Sequence, residues 1–369
     1  MMLVGVALAA GPLLWVVLRS RKGSKVSRVQ VLTLLTLFLT FDLVLFGAFT
    51  RLTDSGLGCP DWPGCYGSAS PLGAHAEITA AQTAMPTGPV THGKAWVEMV
   101  HRYLATGVGV LIIALTVMAW RAHRQSAQVS AVSPWWPTAT LVWVCVQGAF
   151  GALTVTMKLF PAIVSLHLLG GYLLLVLLAV QAAAGSQASM SQPPVPSSVR
   201  WWMAAALLML LVQAMSGAWV STNYAVLACT EFPQCQGQWW PTMDFAQGFT
   251  LWRELGLNPD GSHITVQALT AIHVVHRLLA GVTVLVLGTL VWRMWRWPTL
   301  NGLSRWLAAL LALQIATGLS NVVLDWPLVA AVLHTGGAGA MMVVLVWALT
   351  ISRISSSQFW SLSAAKFSS

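Results

Sequence analysis

The stretch VEMVHRYLATGVGVLIIALTVMAW, residues 97–120, decides what kind of fold this chain forms. After Arg102 it runs for 18 residues without a charge. That is close to the length an α-helix needs to cross the hydrocarbon core of a bilayer. Before that run it carries Glu98, His101 and Arg102, and ionisable groups inside a membrane segment are costly and mark functional sites. The stretch therefore predicts a transmembrane helix with a functional site near one end.

Apolar runs of this kind recur along the whole chain. Of its 369 residues, 57% are hydrophobic and only 8% are charged, which does not fit a soluble domain. We predict an all-α polytopic membrane protein with nine apolar spans. The predicted spans are roughly 3–18, 30–50, 95–120, 135–157, 161–184, 201–221, 268–293, 304–324 and 328–351.

The basic residues are divided unequally between the two sets of loops. One set holds thirteen of the 19 Lys and Arg residues: Arg19, Arg21, Lys22, Lys25, Arg28, Arg121, Arg124, Arg200, Arg293, Arg296, Arg305, Arg353 and Lys366. The opposite set holds four: Arg51, Lys94, Lys158 and Arg253. Because positively charged loops stay cytoplasmic, the long loops 51–94 and 222–267 are predicted to face outward. The net charge of +9 therefore reflects membrane topology, and nucleic-acid binding is not expected.

The two ends of the chain differ from the part between them. The first span, 3–18, has no basic residue before it and a basic stretch after it. It is therefore predicted to be an extra N-terminal transmembrane helix with its N-terminus outside, and not a signal peptide. Residues 1–28 combine this helix with a basic cytoplasmic loop. Residues 352–369 are Ser-rich and polar and are predicted to form a mobile cytoplasmic tail.

Between these ends the sequence repeats itself at an offset of about 170 residues. The segment GCPDWPGCYG at 58–67 corresponds to ACTEFPQCQG at 228–237. Further matches keep their order across four helices in each half. We therefore predict two pseudo-symmetric four-helix bundles, residues 29–185 and 199–351. They form a parallel duplication about an axis along the membrane normal.

Four histidines inside the spans follow this repeat. His101 and His167 belong to the first half, and His276 and His334 belong to the second. Each lies about six residues from the outer end of its span, which is roughly 9 Å along a helix. Two facing imidazoles in a helical bundle suit the axial positions of a haem iron. A zinc or copper site would need three or four ligands, so we predict two haem sites, one in each half.

The two halves differ beside these histidines. The motif EMVHR in the first half reads HVVHR in the second, so His273 stands where Glu98 would be. Glu98 shares a helical face with His101 and Arg102. It is interpreted either as a functional carboxylate beside the haem or as an ion-pair partner of Arg102. Arg102 and Arg277 are predicted to bind haem propionates, which are planar carboxylates.

Four of the five cysteines lie in the long outward loops. Cys59 and Cys65 form one closely spaced pair, and Cys229 and Cys235 form another. An outward loop lies in an oxidising compartment, where disulfides can form. Cys145 falls inside an apolar span and is predicted to be a small buried hydrophobic residue.

These motifs together resemble the haem A synthase family of terminal-oxidase assembly. The similarity is carried by TRLTDSGLGCPDWPGCYG, followed by EMVHR, His167, the second cysteine pair, HVVHR and His334. It covers about residues 30–351. The first apolar span lies outside the eight-helix pattern that is common in that family.

The resemblance implies a bacterial inner-membrane enzyme that oxidises the C8 methyl group of haem O to a formyl group, giving haem A. It implies that His101 and His167 hold the substrate or product haem, and that His276 and His334 hold a haem B cofactor. Glu98 matches the catalytic glutamate of the family. The implied partners are haem O synthase, oxidase assembly factors and an electron acceptor that the sequence does not identify; homo-oligomerisation stays open.

The resemblance also assigns the cysteine pairs. The first pair, Cys59 and Cys65, matches an outward pair implicated in activity. It is interpreted either as a loop staple or as a redox-responsive lid or thiol relay above the haem edge. The second pair, Cys229 and Cys235, is expected to be structural.

One alternative function explains all four histidines. A non-catalytic dihaem cytochrome of the b type would carry electrons and would not need Glu98 to differ from His273. Its haems would lie at different depths, whereas the sequence predicts both near the outer face. A transporter is disfavoured, because no row of polar residues continues through the inner half of the spans.

Overall fold

The computed structural model describes residues 2–20, 27–125, 133–186 and 194–367. Within these residues the chain is helical, with isolated β-bridges and no strand. The helices are α1 (Met2–Ser20), α2 (Arg28–Leu52), α3 (His75–Ala84), α4 (His92–Gln125), α5 (Trp135–Thr156), α6 (Pro161–Gly185), α7 (Ser197–Thr222), α8 (Phe245–Gly248), α9 (Val266–Met294), α10 (Asn301–Val323) and α11 (Leu328–Phe367). The predicted basic loop residues Arg21, Lys22 and Lys25 lie outside the described residues.

Eight helices of the described part are long and apolar enough to cross a membrane. They are α2, α4, α5, α6, α7, α9, the segment Pro298–Val323 that contains α10, and Leu328–Arg353 of α11. This confirms the predicted class, an all-α polytopic membrane protein. Residues Met2–Leu18 of α1 form a shorter apolar helix, so the ninth span stays a prediction. This helix packs along α4 and α2 and buries Ala9 and Val16.

The helix contacts follow the predicted division of the chain. In the first half α2 packs on α4, α4 on α5, α5 on α6, and α6 returns to α2. In the second half α7 packs on α9, α9 on α10, α10 on α11, and α11 returns to α7. Helix α11 also contacts α2 and α6, and α6 contacts α7, so these helices form the seam. The order of contacts supports the duplication, which itself stays a prediction.

Apolar packing and one polar contact hold the seam together. Tyr172 of α6 and Met342 of α11 are buried in the main hydrophobic cluster. The Tyr172 hydroxyl donates a hydrogen bond of 2.8 Å to the Thr335 carbonyl of α11. A buried hydroxyl must find such a partner, because burying it unpaired would be unfavourable.

The ends of several helices differ from the predicted ends. The loop after α2, which was predicted to face outward, contains α3, which was not predicted, and α4 begins at His92, three residues before the predicted start at 95. His101 therefore lies nine residues into α4, deeper than the six expected. At the other end α11 continues to Phe367, so the segment predicted to be a polar tail has a helical backbone up to that residue, and its mobility stays a prediction. No Gly or Pro interrupts the sequence between 350 and 367, so nothing there stops the helix.

Arginines and tryptophans meet at the ends of the second-half helices, away from the long cysteine loops. The guanidinium carbon lies over the indole ring at 4.7 Å in Arg293–Trp202, 4.0 Å in Arg296–Trp292 and 5.8 Å in Arg305–Trp295. Aromatic and basic residues are enriched where a membrane helix meets water. The cluster is typical of a membrane–water boundary. The free Cys145 of α5 is exposed, so the prediction that it is buried is wrong: its side chain faces outward from the helix bundle.

Candidate functional site

Each histidine of the first half lies against a glycine on a neighbouring helix. A Cβ atom built on Gly47 of α2 would lie 3.0 Å from Cε1 of His101 on α4. A Cβ atom built on Gly151 of α5 would lie 3.5 Å from Cε1 of His167 on α6. The absence of a side chain at Gly47 is what lets α2 approach the imidazole this closely.

The second half repeats this arrangement. A Cβ atom on Gly217 of α7 would lie 3.0 Å from Cε1 of His276 on α9. A Cβ atom on Gly318 of α10 would lie 3.2 Å from Cε1 of His334 on α11. The backbone therefore places the four imidazoles in closely similar positions, which supports the predicted repeat.

The members of each histidine pair lie on helices with shared neighbours. His101 on α4 and His167 on α6 are on helices that both pack against α2 and α5, and His276 on α9 and His334 on α11 are on helices that both pack against α7 and α10. All four side chains are half-buried. In the described part of the chain, no group of three or more His, Cys, Asp or Glu could hold a metal ion. A haem iron needs only two protein ligands because the porphyrin supplies the rest, so the imidazole pairs fit haem and not zinc.

The ring nitrogens of the two halves have different surroundings. Nδ1 of His101 and Nδ1 of His167 are buried and have no hydrogen-bond partner among the described residues. In the second half, Nδ1 of His276 lies 2.8 Å from the Ser216 hydroxyl. Nδ1 of His334 lies 3.0 Å from Oγ1 of Thr317. The two sites thus share the placement of their histidines but not the contacts that orient them.

Glu98 lies one helical turn from His101 and is only 4% exposed. One carboxylate oxygen accepts a hydrogen bond of 2.8 Å from the backbone N–H of Cys59. The other accepts one of 2.5 Å from Nη2 of Arg102. The ion pair that was the alternative interpretation of Glu98 is therefore present. The same carboxylate also anchors the first cysteine loop directly.

Both arginines of the repeated motif reach into a cysteine loop. Nη1 of Arg102 donates to the carbonyls of Asp61 at 2.9 Å and Gly64 at 2.5 Å. Arg277 donates to the carbonyls of Cys229 at 3.0 Å and Gln234 at 3.1 Å. These bonds tie each loop to the helix that carries one of the paired histidines. Binding of haem propionates by the two arginines stays a prediction.

The replacement of Glu98 changes the second half as well. Nε of Arg277 donates to Nε2 of His273 at 3.3 Å, so this histidine takes the place of the carboxylate beside the arginine. His273 is buried at 3% exposure. The second half therefore has no carboxylate at this position, whereas the first half has one that is held on both oxygens.

Disulfides close both cysteine loops, as predicted. Cys59–Cys65 and Cys229–Cys235 each span a Cα–Cα distance of 4.9 Å, and all four side chains are buried. An acidic side chain braces each loop from within. Asp61 accepts from the backbone N–H groups of Tyr66 and Gly67, and Glu231 accepts from that of Gly237.

A polar cluster joins the halves beside the loops. Arg51, in the last turn of α2, donates to the Ser221 carbonyl at 2.7 Å and to the Tyr224 hydroxyl at 2.9 Å. The Tyr224 hydroxyl in turn donates to Asp54. Burial raises the pKa of Tyr224, and the hydrogen bond to Asp54 adds to that rise while Arg51 opposes it. The cluster links the end of α2 to the end of α7.

Sequence reasoning missed the residues that surround the histidines. It did not consider the positions next to the glycines that pack against the rings. Ser216 and Thr317 each directly precede a glycine that contacts a ring, as Phe46 and Phe150 do in the first half. Aligning the four glycines, and comparing the residue before each, is the signal that could have revealed them.

Paired histidines inside membrane-length helices indicate a membrane protein of the haem-binding class. The chain belongs to the COX15-CtaA family, described as cytochrome oxidase assembly protein, whose model matches residues 30–346. This confirms the resemblance to the haem A synthase family.

Proteins named Heme A synthase are similar over most of the chain. The one from Shewanella oneidensis is 36% identical over 313 residues, covering 85% of this chain and 93% of that protein. The one from Rhodospirillum centenum is 26% identical over 368 residues, covering 94% of this chain and 92% of that protein. The one from Halalkalibacterium halodurans is 25% identical over 303 residues, covering 79% and 86%.

Proposed function

We propose that this protein is a haem A synthase, which oxidises the C8 methyl group of haem O to a formyl group for use in terminal oxidases. The observation that carries the proposal is the buried carboxylate of Glu98, one helical turn from His101 and absent from the matching position of the second half. The name of the relatives supports the same reaction. We further propose that the protein lies in the bacterial inner membrane with its cysteine loops outward.

The two histidine pairs take different roles in this proposal. His101 and His167 bind the substrate and product haem in the first half, and His276 and His334 bind haem B in the second. Haem B, when bound, supplies a one-electron carrier that can pass electrons onward to an acceptor. Haem O is expected to come from a haem O synthase and haem A to pass to oxidase assembly factors.

Glu98 is the residue proposed to act on the reacting group. Oxidation of a methyl group releases protons, and a carboxylate beside the substrate can accept a proton or stabilise positive charge. Arg102 and the Cys59 N–H fix the carboxylate in place, because each engages one of its oxygens. A group held in this way loses little freedom in the reaction.

The disulfide Cys59–Cys65 is proposed to set the position of that carboxylate. It closes the loop whose first cysteine donates its N–H to Glu98. In this proposal the same disulfide both closes the loop and sets the position of Glu98, so the two interpretations of the first cysteine pair apply to one loop. The second disulfide, Cys229–Cys235, has no carboxylate beside it at the position matching Glu98 and is proposed to be structural.

The experiment that tests the function is analysis of haem pigments. The chain is produced in a host that makes haem O but no haem A, and the extracted haems are separated by chromatography. We expect haem A with the unaltered chain and a loss of at least about 100-fold with Glu98→Gln, because a positioned acid–base group contributes 10²–10⁴-fold. The matched control is Glu77→Gln, which removes an exposed carboxylate of α3.

The dihaem cytochrome gives the opposite result. It would contain haem B, would yield no haem A from the unaltered chain, and would bind the same haem after Glu98→Gln. That outcome would overturn the proposed function. Equal haem A from the Glu98→Gln and Glu77→Gln variants would overturn the assigned role of Glu98.

A further inference from the structure

The residue before each ring-contacting glycine differs systematically between the halves. The pairs are Phe46-Gly47 and Phe150-Gly151 in the first half, and Ser216-Gly217 and Thr317-Gly318 in the second. A hydroxyl therefore stands beside both histidines of the second half, and a phenyl ring stands at both matching positions of the first.

The two hydroxyls lie within hydrogen-bond distance of their histidines, 2.8 Å for Ser216–His276 and 3.0 Å for Thr317–His334. Ser216 donates its only hydroxyl hydrogen to the Gln213 carbonyl at 2.8 Å. Thr317 donates its hydroxyl hydrogen to the Leu313 carbonyl at 2.8 Å. While its hydrogen is held by that carbonyl, each hydroxyl oxygen is an acceptor for the imidazole beside it. Accepting from Nδ1–H stabilises the tautomer with its proton on Nδ1. At His276 the Nε2 amide of Gln213, which lies 3.2 Å from the same nitrogen and can only donate, competes with Ser216 for it.

That tautomer suits an axial ligand. With the proton on Nδ1, the lone pair of Nε2 is free to bind iron, and the hydrogen bond fixes the orientation of the ring. A hydrogen bond from Nδ1–H also makes the ligand nitrogen more basic. Such partners are worth roughly 10- to 100-fold in metal affinity. Ser216 and Thr317 thus prepare His276 and His334 for durable coordination.

The first half lacks this support. Phe46 stacks on His101 with ring centroids 6.2 Å apart and planes 9° apart, and it offers no acceptor. Nδ1 of His101 and Nδ1 of His167 have no hydrogen-bond partner among the described residues. Among the described residues, no hydrogen bond at Nδ1 selects a tautomer of either ring. We therefore expect weaker coordination by this pair, since a hydrogen-bonded ring nitrogen strengthens a histidine ligand.

We propose, relying on the haem sites of the proposed function, that Ser216 and Thr317 make the second half a retaining haem site. Phe46 and Phe150 make the first half an exchanging one. A substrate haem must enter and its product must leave, whereas a cofactor must stay bound through many turnovers. The same pair of imidazoles serves both purposes, because the residue beside each ring sets how firmly it holds iron.

The test measures haem loss in the absence of haem O. The full chain is produced in a host that makes haem B only, purified in detergent, and mixed with excess apomyoglobin, which captures released haem. We expect a fast and a slow phase in the Soret absorbance. His101→Ala should abolish the fast phase, and His276→Ala should abolish the slow one.

Two variants act in opposite directions. Ser216→Ala/Thr317→Val should accelerate the slow phase on the order of 10- to 100-fold. Phe46→Ser should slow the fast phase on the order of tenfold, because Gly47 and Gly217 hold their rings at the same 3.0 Å and a serine at 46 can reach Nδ1 as Ser216 does. The matched control is Thr283→Val on α9, whose hydroxyl donates to the Leu279 carbonyl of its own helix.

The proposal is overturned if the double variant loses haem in the slow phase at the same rate as Thr283→Val. It is also overturned if the unaltered protein loses its haem in a single phase. If circular dichroism shows that the double variant is unfolded, Phe46→Ser decides: a slower fast phase supports the proposal and an unchanged one overturns it. If the protein forms haem A but both sites lose haem at the same rate, this inference is overturned and the proposed function stands. Two intact phases without haem A from haem O overturn the proposed function and leave this inference standing.

Discussion

The two halves of the molecule place their histidines alike and surround them differently. In both, a glycine on one helix lets a second helix bring an imidazole close, and an arginine ties a disulfide-closed loop to the helix that carries that histidine. The first half then adds a buried carboxylate and phenyl rings, and the second adds a histidine and two hydroxyls. The comparison teaches that a repeated scaffold fixes where the paired histidines lie, while a few side chains beside them make the two sites chemically different.

The largest expected effect comes from making the first half resemble the second at Glu98. Glu98→His should lower haem A formation by at least about 100-fold, because the carboxylate is lost from beside the substrate. Haem binding should persist, since Arg277 and His273 show that a histidine fits beside this arginine. The measurement is haem A yield together with bound haem per polypeptide. If Glu98→His forms as much haem A as the unaltered protein, the carboxylate is not the difference that makes the first half active.

Removing each disulfide in turn is a second test of whether the two halves differ in function. Replacing both cysteines of either pair by serine should lower the free energy of unfolding by about 2 kcal/mol, because each disulfide closes a short loop of similar length. Only loss of Cys59–Cys65 should also reduce haem A formation, because the N–H of Cys59 holds Glu98. Thermal unfolding in detergent and haem A yield measure the two effects. Equal activity losses from the two replacements would contradict the structural role assigned to the second loop.

Substitution of Gly47 and Gly217 tests whether the helices hold the histidines equally closely in the two halves. Gly47→Ala and Gly217→Ala each place a methyl group 3.0 Å from an imidazole carbon, so each should weaken its own haem site by about tenfold. Gly109→Ala on α4 and Gly281→Ala on α9 are the controls, because a Cβ there meets nothing within 4 Å. Haem titration followed by absorbance checks the result. A loss confined to one half would show that the two ring environments are less alike than their backbones.

The smallest effect concerns the polar cluster between the halves. Arg51→Gln should lower the free energy of unfolding by about 1 kcal/mol, since it removes bonds to Ser221 and Tyr224. Lys158→Gln, at an exposed outward position, is the control. If Arg51→Gln and Lys158→Gln have the same free energy of unfolding, this cluster does not stabilise the contact between the halves.

The same cluster gives a pH dependence. Burial raises the pKa of Tyr224, so its contribution to stability is fully present below the unfolded pKa of about 10 and is lost as pH rises through the higher folded value. Tyr224→Phe should remove this alkaline loss, which pH-dependent thermal unfolding of both proteins measures. If the stability of Tyr224→Phe falls at alkaline pH as much as that of the unaltered protein, groups other than Tyr224 cause the loss.

The sequence predicted the helices better than it predicted their ends. Hydrophobic runs reveal membrane spans because the bilayer imposes one length on all of them. Polar helices obey no such constraint, which is why α3 was missed and why α11 was expected to end near 351. Cys145 was misjudged because an apolar span does not tell which of its faces turns toward other helices. The close spacing of the cysteines indicated the two pairs, and the structure contains both disulfides.

By itself the sequence determined the membrane class, the order of the repeat, the four histidines and the exchange of Glu98 for His273. These follow from hydrophobicity and from matches along the chain, which need no knowledge of contacts. Only the tertiary structure decided that Glu98 accepts from Cys59, that Arg102 and Arg277 reach into the loops, and that hydroxyls stand beside one histidine pair and phenyl rings at the matching positions of the other. Such contacts join residues far apart in the chain, and a hydrogen bond forms only where packing brings donor and acceptor within about 3 Å.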